Sequence, residues 1–254
     1  MKRFFPAVIS IALVLGGTSG AVPVTAVSAA AQSRVAAVKF VPRRIVAANR
    51  RFRYTVKAKY PQAVGAARDP RLLKMNRELL KFVTSGVTEF KGNFKTYEKP
   101  MGQAGSYYES EYVVTLAAND LVSVAFGVST YGEGAAHPNH NTLVFNYDLR
   151  SGRQLKLADL FKPNSGYLKV ISDYAVKDLA AQHEPDADMD WIREGAGPKD
   201  ENFQSWNLSP KGLEITFDAY QVASYAAGPR EVVIPLSALK DVIDPNGPLG
   251  RMQN

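Results

Sequence analysis

The stretch Tyr112-Val113-Val114-Thr115-Leu116-Ala117-Ala118-Asn119-Asp120-Leu121-Val122-Ser123-Val124-Ala125-Phe126 decides the fold. Apolar side chains alternate at Tyr112, Val114 and Leu116. Asn119-Asp120 then interrupts, and the alternation resumes at Val122, Val124 and Phe126. Period-two alternation on both sides of a short Asn/Asp break is the pattern of a half-buried hairpin. Working outward, residues 53–60 alternate apolar and basic, which predicts a strand with a basic outer face, ended by Pro61. Residues 142–147 form another strand, turned by Arg150-Ser151-Gly152 towards 154–157. Strands over 202–208 and 213–217 flank the turn Pro210-Lys211-Gly212, and 230–234 is a further strand.

Two helices stand out. Asp69-Pro70 supplies an N-cap and a proline suited to the first helical position. Leu72, Met75, Leu79, Val83, Val87 and Phe90 follow at steps of three and four, with Gly86 weakening the last turn. Leu168, Ile171, Ala175 and Leu179 mark the second helix, capped by Asn164 or Ser165. A short third helix is expected around 188–194, and a closing helical turn over 237–242. Strands adjacent in sequence, with helices apart from them, predict an α+β fold: a largely antiparallel sheet with two main helices, in two lobes.

The chain has 254 residues, 46% of them hydrophobic and 22% charged, and no cysteine. This is globular composition, and it excludes disulfides, Cys-ligated zinc, iron–sulfur clusters and thiol nucleophiles. Lys2 and Arg3 precede a short apolar run, and small residues ending Ala29-Ala30-Ala31 follow. That order is the pattern of a secretory signal over residues 1–31, so the mature domain is expected to be periplasmic or secreted, with no transmembrane segment after signal removal. Charge divides what remains: residues 32–103 hold 17 Lys/Arg against 4 Asp/Glu, and residues 104–254 hold 12 against 20. The expected order is a signal peptide (1–31), a basic linker (32–52), a basic N-terminal lobe (53–108) and an acidic lobe (109–250). Export makes nucleic acid a poor partner for the basic part; an anionic envelope surface suits it better.

Few residues carry recognisable chemistry. His137 and His140 sit in a loop held by Gly132-Glu133-Gly134 and Pro138, where His137 is expected to bond backbone rather than metal. Asp186, Asp188 and Asp190 alternate, but Trp191 stands where a calcium loop needs glycine. Glu109 and Glu111 share one strand face, a spacing too common to indicate a glycosidase. There is no G-x-S-x-G, H-E-x-x-H or phosphate-binding glycine loop, so no catalytic residue, metal or cofactor is assigned. Residues 218–229 differ from the rest: an irregular loop rich in small residues that carries Tyr220 and Tyr225, a composition suited to contact surfaces.

Several of these segments, taken in order, resemble the RsiV-type C-terminal domain family. They are Tyr131-Gly132-Glu133-Gly134-Ala135-Ala136-His137-Pro138-Asn139, Asn146-Tyr147-Asp148-Leu149, Leu157-Ala158-Asp159-Leu160-Phe161, Tyr220-Gln221-Val222 and Tyr225-Ala226-Ala227-Gly228-Pro229. The family occurs in the extracytoplasmic part of a lysozyme-binding anti-sigma factor and as a non-catalytic region of some peptidoglycan deacetylases. The resemblance implies a non-enzymatic binding or sensing module of the bacterial envelope. Its ligand would be a protein, lysozyme-like at one extreme, or a cell-wall component, held by Tyr220, Tyr225, Gly228, Pro229, His137 and Asn139. The competing readings are a cell-wall hydrolase or deacetylase, and a structural envelope protein tethered by its basic arm. The sequence leaves the oligomeric state open.

Overall fold

A computed structural model describes residues 38–96, 105–182, 185 and 187–253. The expected signal (1–31), the start of the expected linker (32–37), loop residues 100–104, His183 and Asp186 lie outside the described residues. The fold is α+β. A six-stranded sheet runs in sequence order through β1 (Phe40–Asn49), β2 (Tyr54–Ala63), β3 (Ser106–Ala118), β4 (Leu121–Tyr131), β5 (Asn139–Asp148) and β6 (Arg153–Gln154). A three-stranded sheet holds β7 (Trp206–Ser209), β8 (Gly212–Phe217) and β9 (Arg230–Ile234). All pairings are antiparallel except β2 with β3. Those two are parallel because α1 (Pro70–Gly92) connects them as a crossover, which a tight turn cannot do.

Three expectations change in β1 to β3. The basic stretch expected as a linker contains β1, which pairs with β2 over its whole length. The second strand does not stop at Pro61 but continues to Ala63. Register explains why. The Val64 N–H donates to the Lys39 carbonyl at 2.8 Å, and Pro42 lies opposite Pro61 three pairs further on. Hydrogen-bonded and non-bonded pairs alternate, so both prolines fall at a non-bonded pair where neither owes the other an N–H. Finally, β3 crosses the expected lobe boundary at 108/109, so the basic and acidic halves share one sheet.

That sheet has a core on each face. On one face lies α1, started by Asp69, whose carboxylate accepts the Arg71 N–H at 2.9 Å. Its stripe Met75, Leu79, Val83, Val87 and Phe90 is buried with Val56, Ala58, Tyr108, Val124, Phe126 and Phe145. Gly86 is needed for the fit: a Cβ there would stand 2.9 Å from the Tyr108 hydroxyl. The second core lies on the opposite face, at the β3–β4 hairpin end. Asn119 and Asp120, with φ of 54° and 59°, make the two-residue turn that sequence patterning calls for. A bulge between Val114 and Leu116 then breaks the simple alternation. The extra residue sends Leu116 to the face opposite Val114, where it joins Leu121. Strands β7–β9 and helix α2 (Tyr167–Gln182) bury Leu208, Leu213, Ile215, Phe217, Ile171 and Leu179 against them. Helix α2 follows Gly166, whose carbonyl accepts the Lys169 N–H at 3.0 Å. Gly166 therefore stands where Asn164 or Ser165 was expected. The strand expected over 202–208 is shorter: a 3₁₀ turn, Asp200–Phe203, precedes β7.

The two sheets are joined by a buried polar cluster. Ser123 of β4 donates to Asn146 Oδ1 of β5 at 2.6 Å. Its oxygen accepts from the Leu208 N–H and from Asn207 Nδ2 of β7, both at 2.9 Å. Asn146 Nδ2 donates to the Trp206 carbonyl at 2.7 Å. Ser123 is 0% exposed, so no water can replace these bonds. In Ser123→Ala, the Leu208 N–H and the Asn207 amide keep their burial and lose their acceptor, at a cost of about 2 kcal/mol. The melting temperature should fall by roughly 4–8 °C. Ser129→Ala, further along the same strand, should stay within about 0.5 kcal/mol of wild type. Thermal unfolding by circular dichroism compares the two, and equal melting would deny the cluster its role.

Candidate functional site

Strand β6 pairs with β5 only at Tyr147 and Asp148, so most of the outer edge of β5 has no neighbouring strand. The predicted ligand residues gather where that edge begins. The His137 ring stacks on Tyr225, with centroids 4.2 Å apart and planes at 28°. Tyr220 continues the group, 5.4 Å from Tyr225. The Tyr225 hydroxyl donates to the Pro138 carbonyl at 3.1 Å, which ties the 218–229 loop to the entry of β5. His137 Nδ1 lies 2.9 Å from the same carbonyl. Tyr220, at 57% exposed, presents its ring to solvent. Asn139 and Gly228 do not join the stack. Asn139 is exposed at the first position of β5, opposite Thr130. Gly228, at φ 69°, closes a 3₁₀ turn by donating to the Tyr225 carbonyl. Pro229 lines a hollow of about 270 Å³ with Ser129, His140, Thr142 and Asp218.

The loop keeps this shape because its other residues face inward. The Gln221 side chain donates to the Gly195 and Asn202 carbonyls at 3.0 and 2.9 Å, and Val222 is buried. Gly195 ends α3 (Met189–Gly195), and a Cβ there would collide with the Gln221 backbone. Trp191 of α3 donates from Nε1 to the Tyr220 carbonyl at 3.1 Å. In Tyr220-Gln221-Val222, then, the middle and last residues anchor the loop and the first is displayed.

Four residues of the edge went unassigned in the sequence. Both Asp218 carboxylate oxygens accept the Thr142 N–H, at 3.0 and 3.1 Å. Ser205 donates to the Thr142 carbonyl at 2.9 Å. Past this clamp, Val144 lines a larger groove of about 620 Å³. Only an aspartate directly after a strand pattern hinted at Asp218, and nothing local marks Ser205, 63 residues from its partner.

Other candidate groups have structural work. Asp188 caps α3, accepting the Trp191 N–H at 3.0 Å. Glu109 and Glu111 pair with Lys57 and Lys59 at 2.9 and 2.6 Å. Asp148 lies 2.9 Å from the Arg251 guanidinium. Glu133 accepts the Gly105 N–H at 3.0 Å. Among the described residues, no three His, Asp or Glu side chains converge as a metal site, and no helix is long and apolar enough to cross a membrane.

Residues 158–237, which span α2, α3 and the whole small sheet, match the family described as a protein of unknown function (DUF3298). Over 170 residues the chain is 29% identical to the peptidoglycan-N-acetylmuramic acid deacetylase PdaC of Bacillus subtilis. That alignment takes in 67% of this chain but only 36% of the relative, so the chain spans about a third of that enzyme's length. Two crystal structures of DUF3298 family proteins share the fold. The one from Bacteroides fragilis has a TM-score of 0.57 at 20% identity, covering 87% of this chain and 99% of its own. The one from Pseudomonas aeruginosa has a TM-score of 0.60 at 15% identity, covering 82% and 96%.

The Leu157-Ala158-Asp159-Leu160-Phe161 segment beside the groove shows how the edge is braced. Leu160 and Phe161 are buried in the second core. Asp159 accepts from both Arg153 guanidinium nitrogens at 2.7 and 2.9 Å and from the Lys156 N–H at 2.7 Å. The Arg153 hydrogen bonds are the main reason its carboxyl is held below the ordinary 3.8, and they outweigh the opposing effect of burial. A lowered folded-state pKa means that the unfolded chain binds the proton more readily. The stabilisation is therefore present above 3.8 and lost as pH falls through the folded value. Asp159→Asn should be less stable than wild type at neutral pH, and the gap should narrow steadily below pH 3.8. Urea unfolding across this range measures it; a gap independent of pH would show that the ionised Asp159–Arg153 pair adds nothing.

Proposed function

We propose that this protein is an exported, non-catalytic binding module of the bacterial envelope that holds cell-wall glycan along the outer edge of β5. The observation that carries the reading is the stack of His137, Tyr225 and Tyr220 at the head of an edge that continues into two hollows. Stacked rings that display one exposed face offer a large, rigid contact area with little side-chain entropy to lose, and sugar rings present matching apolar faces. The name of the curated relative, a peptidoglycan deacetylase, supports a cell-wall ligand, and the resemblance to the RsiV-type domain points to the same compartment.

Binding suits the site better than catalysis. Asp218 is committed to the Thr142 N–H, Glu133 to the Gly105 N–H, and His137 Nδ1 to the Pro138 carbonyl. A catalytic imidazole works on a nucleophile or beside a second acid or base within hydrogen-bond reach, and among the described residues the His137 ring is hydrogen-bonded only to the Pro138 carbonyl.

The test is co-sedimentation of the mature protein with purified peptidoglycan sacculi, alongside an assay for released acetate and reducing ends. Wild type should pellet with the sacculi and release neither. Tyr225→Ala should weaken binding by about thirtyfold, equivalent to roughly 2 kcal/mol for a lost aromatic anchor. Tyr220→Ala, which removes an exposed ring, should weaken binding with unchanged melting. Turnover that disappears in His137→Ala would overturn the non-catalytic reading. Undiminished sedimentation of a folded Tyr220→Ala, Tyr225→Ala double variant would remove the stack from the site.

A further inference from the structure

The flank of α1 that turns towards β1 combines exposed apolar side chains with cations and carries no carboxylate. Phe82 marks the other flank: its ring lies 5.7 Å from both Phe126 of β4 and Phe145 of β5. Glu78 and Glu89, the two acids of α1, share that flank at helical spacing from Phe82. Leu73 and Leu80 stand about 160–180° round the helix from Phe82, and so face β1. Asn76 lies between them and holds the Ala63 N–H and carbonyl at 2.9 and 3.0 Å, which sets Val64 beside this flank. The Val64 N–H in turn donates to the Lys39 carbonyl. From β1, Lys39, Val41 and Arg43 alternate with Ile45, whose partner Ala58 is buried beneath α1, so they point to the same side of the sheet. Val41, Val64, Leu73 and Leu80 are four of the eight large apolar side chains exposed among the described residues. Single exposed apolar residues need no explanation, but four gathered in one place form a patch.

We infer that this flank docks the protein onto the surface of an anionic phospholipid membrane. Charge complementarity carries the choice of partner. From Lys39 to Arg68 the chain has nine Lys/Arg and no Asp or Glu. Not all of them are available: Lys57 and Lys59 point to the other face of the sheet and are paired with Glu109 and Glu111. At the patch, Arg43 donates only to the neutral Gln62 side chain at 2.6 Å. Lys39, Arg77 and the neighbouring Lys81 are exposed, and they form no ion pair among the described residues. A soluble polyanion would engage the cations and gain nothing from exposed valine and leucine. A lipid headgroup layer takes both, because phosphates meet the cations while apolar side chains reach the acyl boundary. A second copy of the chain is a poor fit, since a self-complementary contact would set this cationic surface against itself. The association is peripheral: the buried stripe of α1 stays in the core, and no described helix is long and apolar enough to cross a membrane. In the order of the sheet, β1 and the glycan-binding edge of β5 lie towards opposite sides, so the two surfaces can be occupied together.

Co-sedimentation of the mature protein with lipid vesicles tests the inference. Residues 32–254 hold both cores and leave out the apolar run of the expected signal, which would itself enter lipid. Wild type should bind equimolar phosphatidylglycerol–phosphatidylcholine vesicles at least about tenfold more tightly than pure phosphatidylcholine vesicles. The double variant Arg77→Gln, Lys81→Gln should bind the anionic vesicles about twentyfold more weakly, since each cation near an anionic leaflet contributes about fivefold. Lys57→Gln, Lys59→Gln removes the same charge from the opposite face and should weaken binding no more than about twofold. Leu73→Ser, Leu80→Ser changes no charge and should weaken binding about tenfold, with little change in melting. Absent binding, or equal binding to the two kinds of vesicle, overturns the inference. So does undiminished binding of the folded leucine variant, which would make the flank a polyanion site. Equal losses in the two charge variants would show diffuse attraction by net charge and overturn it as well. A wild-type dimer in analytical ultracentrifugation that the leucine variant dissolves would give the flank to a second copy instead. Tyr220→Ala should bind vesicles as wild type does, so this surface and the glycan site stand or fall separately.

Discussion

The buried hydroxyl of Ser123 is the point on which the architecture turns. It lies on the face of the large sheet away from α1, where an apolar residue would be the ordinary choice. Instead it supplies an acceptor for the first strand of the small sheet and a donor to Asn146. Apolar contact between two sheets is nearly indifferent to sliding, whereas hydrogen bonds with fixed partners are not. The cluster thus sets where β7 stands against β4 and β5. Everything that follows β7, including β8, the 218–229 loop and β9, inherits that placement.

The candidate site is a consequence of that register. Asp218 reaches the Thr142 N–H because β8 ends beside the edge of β5, and Tyr225 reaches the Pro138 carbonyl because the loop from β8 then passes the start of β5. The edge is therefore managed rather than left open. Exposed strand edges invite unwanted pairing, and proteins blunt them with charges, prolines or covering loops. Here a carboxylate and a hydroxyl close one ladder position, β6 and Leu155 close the far end, and an aromatic loop covers the beginning. Among the described residues the part left uncovered is short, which limits pairing with another strand.

The basic half reads differently once folded. Lys57 and Lys59 sit on the solvent face of β2 opposite Glu109 and Glu111 of β3, so the boundary between positive and negative sequence is bridged by ion pairs. All four side chains are well exposed, and pairs of this kind contribute little to stability. What the pairing does achieve is to place the charge transition inside a single sheet. A segment that looks in sequence like a cationic tether is the first strand of that sheet; burial alternates from Ile45 to Asn49, while Val41 to Arg44 are exposed on both faces.

Local pattern alone determined the elements whose partners are near in sequence. The β3–β4 hairpin, the helix begun by Asp69-Pro70 and the strand following Pro210-Lys211 depend on periodicity, capping and turn residues, all of which act within a few positions. The 218–229 loop was also legible as irregular chain outside any periodic element, whereas the stacking of Tyr225 on His137 was not. Tertiary structure decided the rest. Nothing in residues 112–118 announces the bulge that turns Leu116 to the second core, because a bulge is a mismatch between two strands and not a property of one. Nothing in residues 40–49 announces a strand, because its apolar positions are only half-covered and its register is written in β2. Nothing near Ser205 or Asp218 tells that they close the edge of β5, 63 and 76 residues away. Sequence specifies the groups a backbone needs satisfied; only the folded chain brings the distant side chains that satisfy them, as Asp218 and Ser205 do for Thr142.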